Sequence, residues 1–144
     1  VKFRMDTWAV TNLFYEPHTG TNNNFDIIPP GSATSSIKCN IGNNTFWSSA
    51  KIAWNLNQWY TVTISWSGTE IRIYIDGALD VALTSTNVCT DGATSALGSY
   101  WYGTTNKGQY FNGSIAYGSV FYRVLQPAEV KLYYENPWAV FLNK

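Results

Sequence analysis

Residues 59–81, WYTVTISWSGTEIRIYIDGALDV, decide the fold. From Tyr60, the residues Tyr60, Val62, Ile64 and Trp66 fall on one face and Thr61, Thr63 and Ser65 on the other, the period-two alternation of a strand with one buried and one wet side. Ser67-Gly68-Thr69 supplies a turn, after which Ile71, Ile73 and Ile75 repeat the buried set against Arg72, Tyr74 and Asp76. Asp76-Gly77 then closes a second hairpin, because a type I′ turn needs positive φ at both central positions, which Gly adopts freely and Asp tolerates. The stretch is an antiparallel meander with a defined inside.

Working outward, 144 residues suit one domain with one continuous core, so a single domain over 1–144 is expected. Lys plus Arg is 9 and Asp plus Glu is 9, leaving no net field to draw phosphate backbones or anionic membranes. Nucleic acid is not an expected partner. Charged residues make up 12% against 17% aromatics, a composition suited to short strands and many turns, as in secreted or particle-borne β proteins. No apolar run is long enough to span a bilayer, and no basic segment followed by an apolar stretch opens the chain, so neither membrane insertion nor an export signal is expected. Opening at Val1 directly in strand-like sequence is what a processed or excised part of a longer protein would do. Cys39 and Cys89 admit two readings, one bridge closing a long loop or two small buried apolar residues, and two Cys with one His argue against structural zinc.

Before the meander, VKFRM and AVTNLFYE suggest two strands ending at Pro17 and a polar loop through Asn24. Phe25 to Ile28 is a short apolar run stopped by Pro29-Pro30-Gly31; Ser36 to Ile41 alternates, and a further strand is expected between Thr45 and Trp54. Beyond the meander, Leu79 to Leu83 is a strand, 84–94 the longest loop, and 97–102 extended again. Ser114 to Leu125 reads as one long strand with a bulge or close-packing point at Gly118. Gln126-Pro127-Ala128-Glu129 marks a helix start, with Val130, Tyr133 and Tyr134 facing inward and Asn136-Pro137 ending it.

The run QWYTVTISWSGTEIRIYIDGAL, the Leu97-Gly98 pair and FNGSIAYGSVFYRVLQPAEVKLYY together resemble the laminin G-like domains of the concanavalin A-like jelly-roll superfamily. The strong likeness covers roughly residues 58 to 141, and the first 57 residues fit by pattern only. It implies an all-β antiparallel two-sheet jelly-roll sandwich with one short C-terminal helix. The ending LYYENPWAVF is similar to versions found in bacteriophage virion proteins, which implies a virion or extracellular surface location and a capsid or tail partner. Where the family often has an acidic residue after the Ile of its last strand, this chain has Ala116 and Tyr117.

Some members of the superfamily are retaining glucanases, whose chemistry needs two carboxylates about 5 to 5.5 Å apart, hence alternate residues on one strand face. None of Asp6, Glu16, Asp26, Glu70, Asp76, Asp80, Asp91, Glu129 and Glu135 are spaced i, i+2. Glu70 and Asp76 share a face but, at roughly 3.3 Å per residue, lie about 20 Å apart. The lone His18 lacks a Ser-Gly elbow to work with. No catalysis is therefore expected, a glycoside hydrolase being the alternative. No cofactor is expected either; calcium is the metal for which Asp80, Asp91, Asn87 and Asn22 to Asn24 offer loop oxygens, without a loop motif. Glycan binding needs aromatic faces with amide and hydroxyl partners, and the stretch from Tyr100 to Tyr110 offers both, with Tyr100, Trp101, Tyr102, Asn106 and Tyr110 as the candidate residues for a carbohydrate or protein contact and Trp47 and Trp54 as weaker additions. Strand alternation puts either Trp101 or the Tyr100 and Tyr102 pair inside. The expected function is a non-catalytic surface or decoration module that contacts glycan or protein.

Overall fold

The computed structural model describes residues 1–8, 11–16, 25–42, 46–86, 95–102 and 106–139, with the backbone alone at 100–102 and 106–109. Its strands are β1 (Lys2–Met5), β2 (Phe14–Glu16), β3 (Phe25–Ile28), β4 (Lys38–Ile41), β5 (Phe46–Ser48), β6 (Trp59–Trp66), β7 (Glu70–Ile75), β8 (Ala78–Thr84), β9 (Ala96–Leu97), β10 (Ser99–Tyr102), β11 (Asn106–Tyr110) and β12 (Gly113–Tyr117), followed by helix α1 (Pro127–Glu135). One antiparallel sheet has the order β12-β1-β6-β7-β8 and the other β5-β4-β3-β2-β9, while β10 and β11 form a separate hairpin. The jelly-roll sandwich with one short helix is as expected.

Both turns of the meander take the form their residues dictate. Asp76 and Gly77 sit at φ 50 and 79 between β7 and β8, and Gly68 sits at φ 87 between β6 and β7. The inner faces meet in a core that joins Tyr60, Val62, Ile71, Ile73 and Ile75 of the first sheet to Phe14, Phe25, Ile27, Cys39 and Ile41 of the second. Phe25 stacks on Trp66 with ring centroids 5.1 Å apart, tying the two sheets together. Cys39 is a free thiol, fully buried in this core; its other expected partner, Cys89, lies outside the described residues.

Two expectations need correction. The stretch Ser114 to Leu125 is not one strand: β12 ends at Tyr117, and 118–126 runs on without ladder pairing. Gly118 marks the break, where an added Cβ would stand 3.0 Å from Leu97 Cδ1. The face of β6 and β7 expected to be wet is covered in part. Thr61, Ser65 and Tyr74 are all buried, because 119–125 and α1 fold back over them: Tyr74 packs with Phe121, Leu125 and Val130, and Tyr133 donates its hydroxyl to Ser119 Oγ at 2.8 Å. The helix begins as expected at Pro127, with the Glu129 carboxylate accepting the Gln126 N–H at 2.8 Å and gripping Arg123 through both oxygens. Val130 and Tyr133 are buried, whereas Tyr134 is half-exposed along the turn at Gly77.

That contact makes Gly77 a test of how the helix is seated. Gly77→Ala would set a Cβ at positive φ and 2.9 Å from Tyr134 Cβ, whereas Gly68→Ala, also at positive φ, would meet nothing within 4 Å. In urea titrations Gly68→Ala is expected to cost about 1 kcal/mol and Gly77→Ala about 2 kcal/mol or more. Equal losses at the two turns would contradict this seating of α1.

Candidate recognition face

The second sheet builds its outward face from a single row of cross-strand neighbours. Tyr15 stands opposite Ala96 and Asp26, Asp26 opposite Asn40, and Asn40 opposite Phe46. Since neighbours in register share a face, and Phe14, Ile27 and Cys39 belong to the core, the row Ala96-Tyr15-Asp26-Asn40-Phe46 points away from it. The polar members come from alternation: Asp26 lies between Phe25 and Ile27, and Asn40 between Cys39 and Ile41.

Asp26 is the chemical centre of the row. Only 4% of it is exposed, its Oδ1 accepts from Asn12 Nδ2 and its Oδ2 from Asn40 Nδ2, each at 3.3 Å. Burial disfavours the carboxylate and outweighs the Asn40 hydrogen bond that favours it, so its pKa rises from the ordinary 3.8 to about 6. Asn40 is itself fully buried, and among the described residues its Oδ1 has no hydrogen-bond partner. Asp26 therefore acts as an anchor that orients two amides, with Tyr15 buried beside it and Phe46 half-exposed at the end of the row.

The hairpin that carries the sequence candidates adjoins this face. Gly98, at φ 72, turns the chain out of β9, and β10 packs against β2 and β9 without ladder bonds to β2. The hairpin register places Tyr100 opposite Gly108, Trp101 opposite Lys107 and Tyr102 opposite Asn106. The side chains of Tyr100, Trp101, Tyr102 and Asn106 lie outside the described residues; Tyr110, opposite Ser99, is 67% exposed. Trp47 is half-buried against the core, and Trp54 is buried under Tyr60. Asp26, Asn12 and Asn40 were not among the sequence candidates. The signal was Asp26 set between Phe25 and Ile27 and Asn40 set between Cys39 and Ile41.

Six of the other described carboxylates are committed locally. Asp76 accepts the Thr61 N–H at 2.7 Å, and Asp80 accepts the Ala50 and Lys51 N–H groups at 2.6 and 3.0 Å. Asp6 pairs with Arg4, Glu70 with Arg72, Glu129 with Arg123 and Glu135 with Lys131. Of the proposed calcium oxygens, Asp80 is thus occupied by backbone donors, and Asp91, Asn87 and Asn22 to Asn24 lie outside the described residues. Among the described residues, no three His, Cys, Asp or Glu side chains gather in one place. No helix of the described residues is long and apolar enough to cross a membrane. A separate cleft of about 450 Å³ opens between the sheets, along the upper part of β6 and the segment 119–125.

Asp26 predicts a pH signature. The folded chain holds its proton more tightly than the unfolded chain, so this group's contribution to stability is present below about 3.8 and is lost as pH rises to about 6. The full change is on the order of 3 kcal/mol. Burial of the Val1 ammonium lowers its pKa to about 5, which works in the opposite sense between that value and 8.0. Comparing urea midpoints of wild type and Asp26→Asn from pH 3.5 to 7 isolates the first effect. The wild type should lose stability relative to the variant across that interval, and parallel curves would show that Asp26 does not titrate there.

The model of the concanavalin A-like lectin/glucanases superfamily matches residues 1–131, reaching into the first 57 residues that pattern alone had placed. No curated protein matches the chain in sequence. Among solved structures, a heptameric SAP-like pentraxin from Limulus polyphemus is similar with a TM-score of 0.71 at 14% identity, over 92% of this chain and 66% of that one. The CBM40 of the Ruminococcus gnavus IT-sialidase, bound to alpha2,3 sialyllactose, gives 0.69 at 16% identity, over 91% and 78%. Domain 4 of AbnA, a GH43 extracellular arabinanase from Geobacillus stearothermophilus, in complex with arabinotriose, gives 0.59 at 18% identity, over 90% and 62%. At such identities the likeness is one of fold, and this chain spans no more than about two thirds of the pentraxin and arabinanase structures. With the sandwich, its register and the match over residues 1–131 together, the chain belongs to the concanavalin A-like lectin/glucanase superfamily.

Proposed function

We propose that this chain is a non-catalytic recognition module that holds a carbohydrate on the outer side of its second sheet, and that it serves as a surface or decoration domain of a larger assembly such as a phage or virus particle. The observation that carries the reading is the row Tyr15-Asp26-Asn40-Phe46, in which the buried Asp26 carboxylate fixes the Asn40 amide and that of the neighbouring Asn12, and which ends in the half-exposed ring of Phe46. Sugars are held by aromatic faces together with directed amide and hydroxyl groups, and the adjoining hairpin adds Tyr100, Trp101, Tyr102, Asn106 and Tyr110. Its similarity to domains crystallised with sialyllactose and arabinotriose supports the sugar as ligand class. The particle setting is supported by the resemblance of the chain's ending to virion-borne versions of the domain.

Absence of catalysis is part of the proposal. A retaining glycosidase needs a second carboxylate about 5 to 5.5 Å from the first. On the described part of this face, Asp26 has amides for neighbours.

Affinity electrophoresis against a panel of polysaccharides tests the reading. Retention by at least one of them is expected, weakened about tenfold by Trp101→Ala or Tyr110→Ala, the scale of one lost aromatic contact. Retention by none would sink the carbohydrate reading. Release of reducing sugar that is abolished by Asp26→Asn would replace the module with a glycoside hydrolase.

A further inference from the structure

The sequence holds one Asn-Gly pair, Asn112-Gly113, and two Asp-Gly pairs, Asp76-Gly77 and Asp91-Gly92. In such pairs the glycine nitrogen can reach the carbonyl carbon of the preceding side chain, because no Cβ hinders its approach. What the fold does with the two groups decides whether they react. Asp91-Gly92 lies outside the described residues. At Asp76-Gly77 the carboxylate is drawn to β6, where it accepts the Thr61 N–H at 2.7 Å.

Asn112-Gly113 is arranged differently. Asn112 is exposed at the bend that leads into β12, and among the described residues its side-chain amide makes no hydrogen bond. Its main-chain carbonyl accepts the Asp6 N–H at 3.1 Å, so ladder alternation turns Asn112 and Ser114 toward β1 and the N–H of Gly113 to the opposite side. Among the described residues β12 is the last strand of its sheet, and no ladder partner stands on that side. Glycine is required at 113, since a Cβ there would collide with the Arg4 carbonyl oxygen and stand 2.8 Å from Phe111 Cε1. The fold thus keeps the reactive glycine in place beside an amide it leaves unheld.

We infer that Asn112 is a site of covalent self-modification, at which the Gly113 nitrogen displaces the Asn112 side-chain amide to give first a succinimide and then isoaspartate or aspartate. The Gly113 nitrogen yields its proton to solvent base and bonds to Asn112 Cγ; the Cγ–Nδ2 bond breaks, and ammonia leaves after taking up that proton. Water then opens the ring. Cleavage at Cγ gives aspartate, whereas cleavage at the main-chain carbonyl gives isoaspartate, in which the chain runs on through Cβ and Cγ.

Its place in the fold makes the isoaspartate product consequential. Phe111, just before it, donates its N–H to Gly98 O at 2.8 Å and sets its ring edge-on to Phe3, and Gly113, just after it, is wedged against β1. The added main-chain atom falls between these two fixed points, and the carbonyl that accepted the Asp6 N–H leaves the main chain as a carboxylate. New negative charge arises beside Asp6, which pairs with Arg4. Because Phe111 carries the hairpin of β10 and β11 into the first sheet, the reaction links the age of the protein to how that hairpin is held. The site is independent of the carbohydrate proposed above.

The test ages the 144-residue chain, folded and in urea, in neutral and in mildly alkaline buffer, and reads it by peptide mass mapping and isoaspartyl methyltransferase labelling. In the folded chain the peptide holding Asn112 is expected to gain about 1 Da, the exchange of an amide for an acid, and to take up the methyl label. Both changes should be faster in the alkaline buffer, because the attacking nitrogen must lose its proton. The peptide holding Asp76 should stay unlabelled in the folded chain, and Asn112→Gln, where attack would need a six-membered ring, should show neither change at this position. Aged protein should unfold at lower urea than Asn112→Asp, which carries the charge without the added main-chain atom. The proposal is overturned if Asn112 reacts in urea but stays intact in the folded chain, if the Asp76 peptide is labelled as fast as that of Asn112, or if aged protein and Asn112→Asp share one urea midpoint.

Discussion

The sandwich depends on one turn residue that does the work of a strand. Asp76, held at positive φ, donates its own N–H to Thr61 O at 2.8 Å while its carboxylate accepts the Thr61 N–H at 2.7 Å. The backbone pair that would close the β6–β7 ladder is thus completed by a side chain just where the chain reverses into β8. Because a slip of one residue would exchange the inner and outer faces of every strand in the meander, this clamp fixes which residues enter the core.

The sequence spoke most clearly where chemistry is local. Positive φ at Asp76-Gly77 and at Gly68, the helix start at Pro127 and the inward Ile71, Ile73 and Ile75 all follow from residue type and spacing within a few positions. It was silent where the outcome depends on a neighbour distant in the chain. The alternation from Ser114 to Leu125 is genuine, with Val120 and Tyr122 exposed and Leu125 buried, yet no strand is formed beyond Tyr117, since pairing needs a partner and alternation does not supply one. Likewise Thr61, Ser65 and Tyr74 looked wet because the period-two rule distinguishes two faces without saying what will cover either of them.

The recognition face was legible in part, for related reasons. Aromatic and amide content pointed to the Tyr100–Tyr110 hairpin, which the fold does bring against β2. Asp26 was hidden because a single polar letter inside FDII reads as an interruption of an apolar run; only the register with Asn40 and Tyr15 turns it into part of a row. A buried carboxyl held by two amides is costly to isolate and specific once formed, so it fixes side-chain orientation beneath a surface that is otherwise built from flexible groups.

The fold-back of 119–125 and α1 has a consequence for how such a domain can change. With Tyr74, Thr61 and Ser65 covered, the middle of β6 and β7 is buried on both faces, so a substitution there is a substitution in an interior. The second sheet is buried on its outward face too at Tyr15, Asp26 and Asn40, and is open at Phe46. Mutational tolerance is therefore divided unequally: the buried middle of both sheets must stay nearly constant, while the exposed positions at the edges, Phe46 on β5 and Tyr110 on the hairpin beside β9, are free to vary. A lineage could exchange one ligand for another at those edges without disturbing the strands that keep the molecule folded.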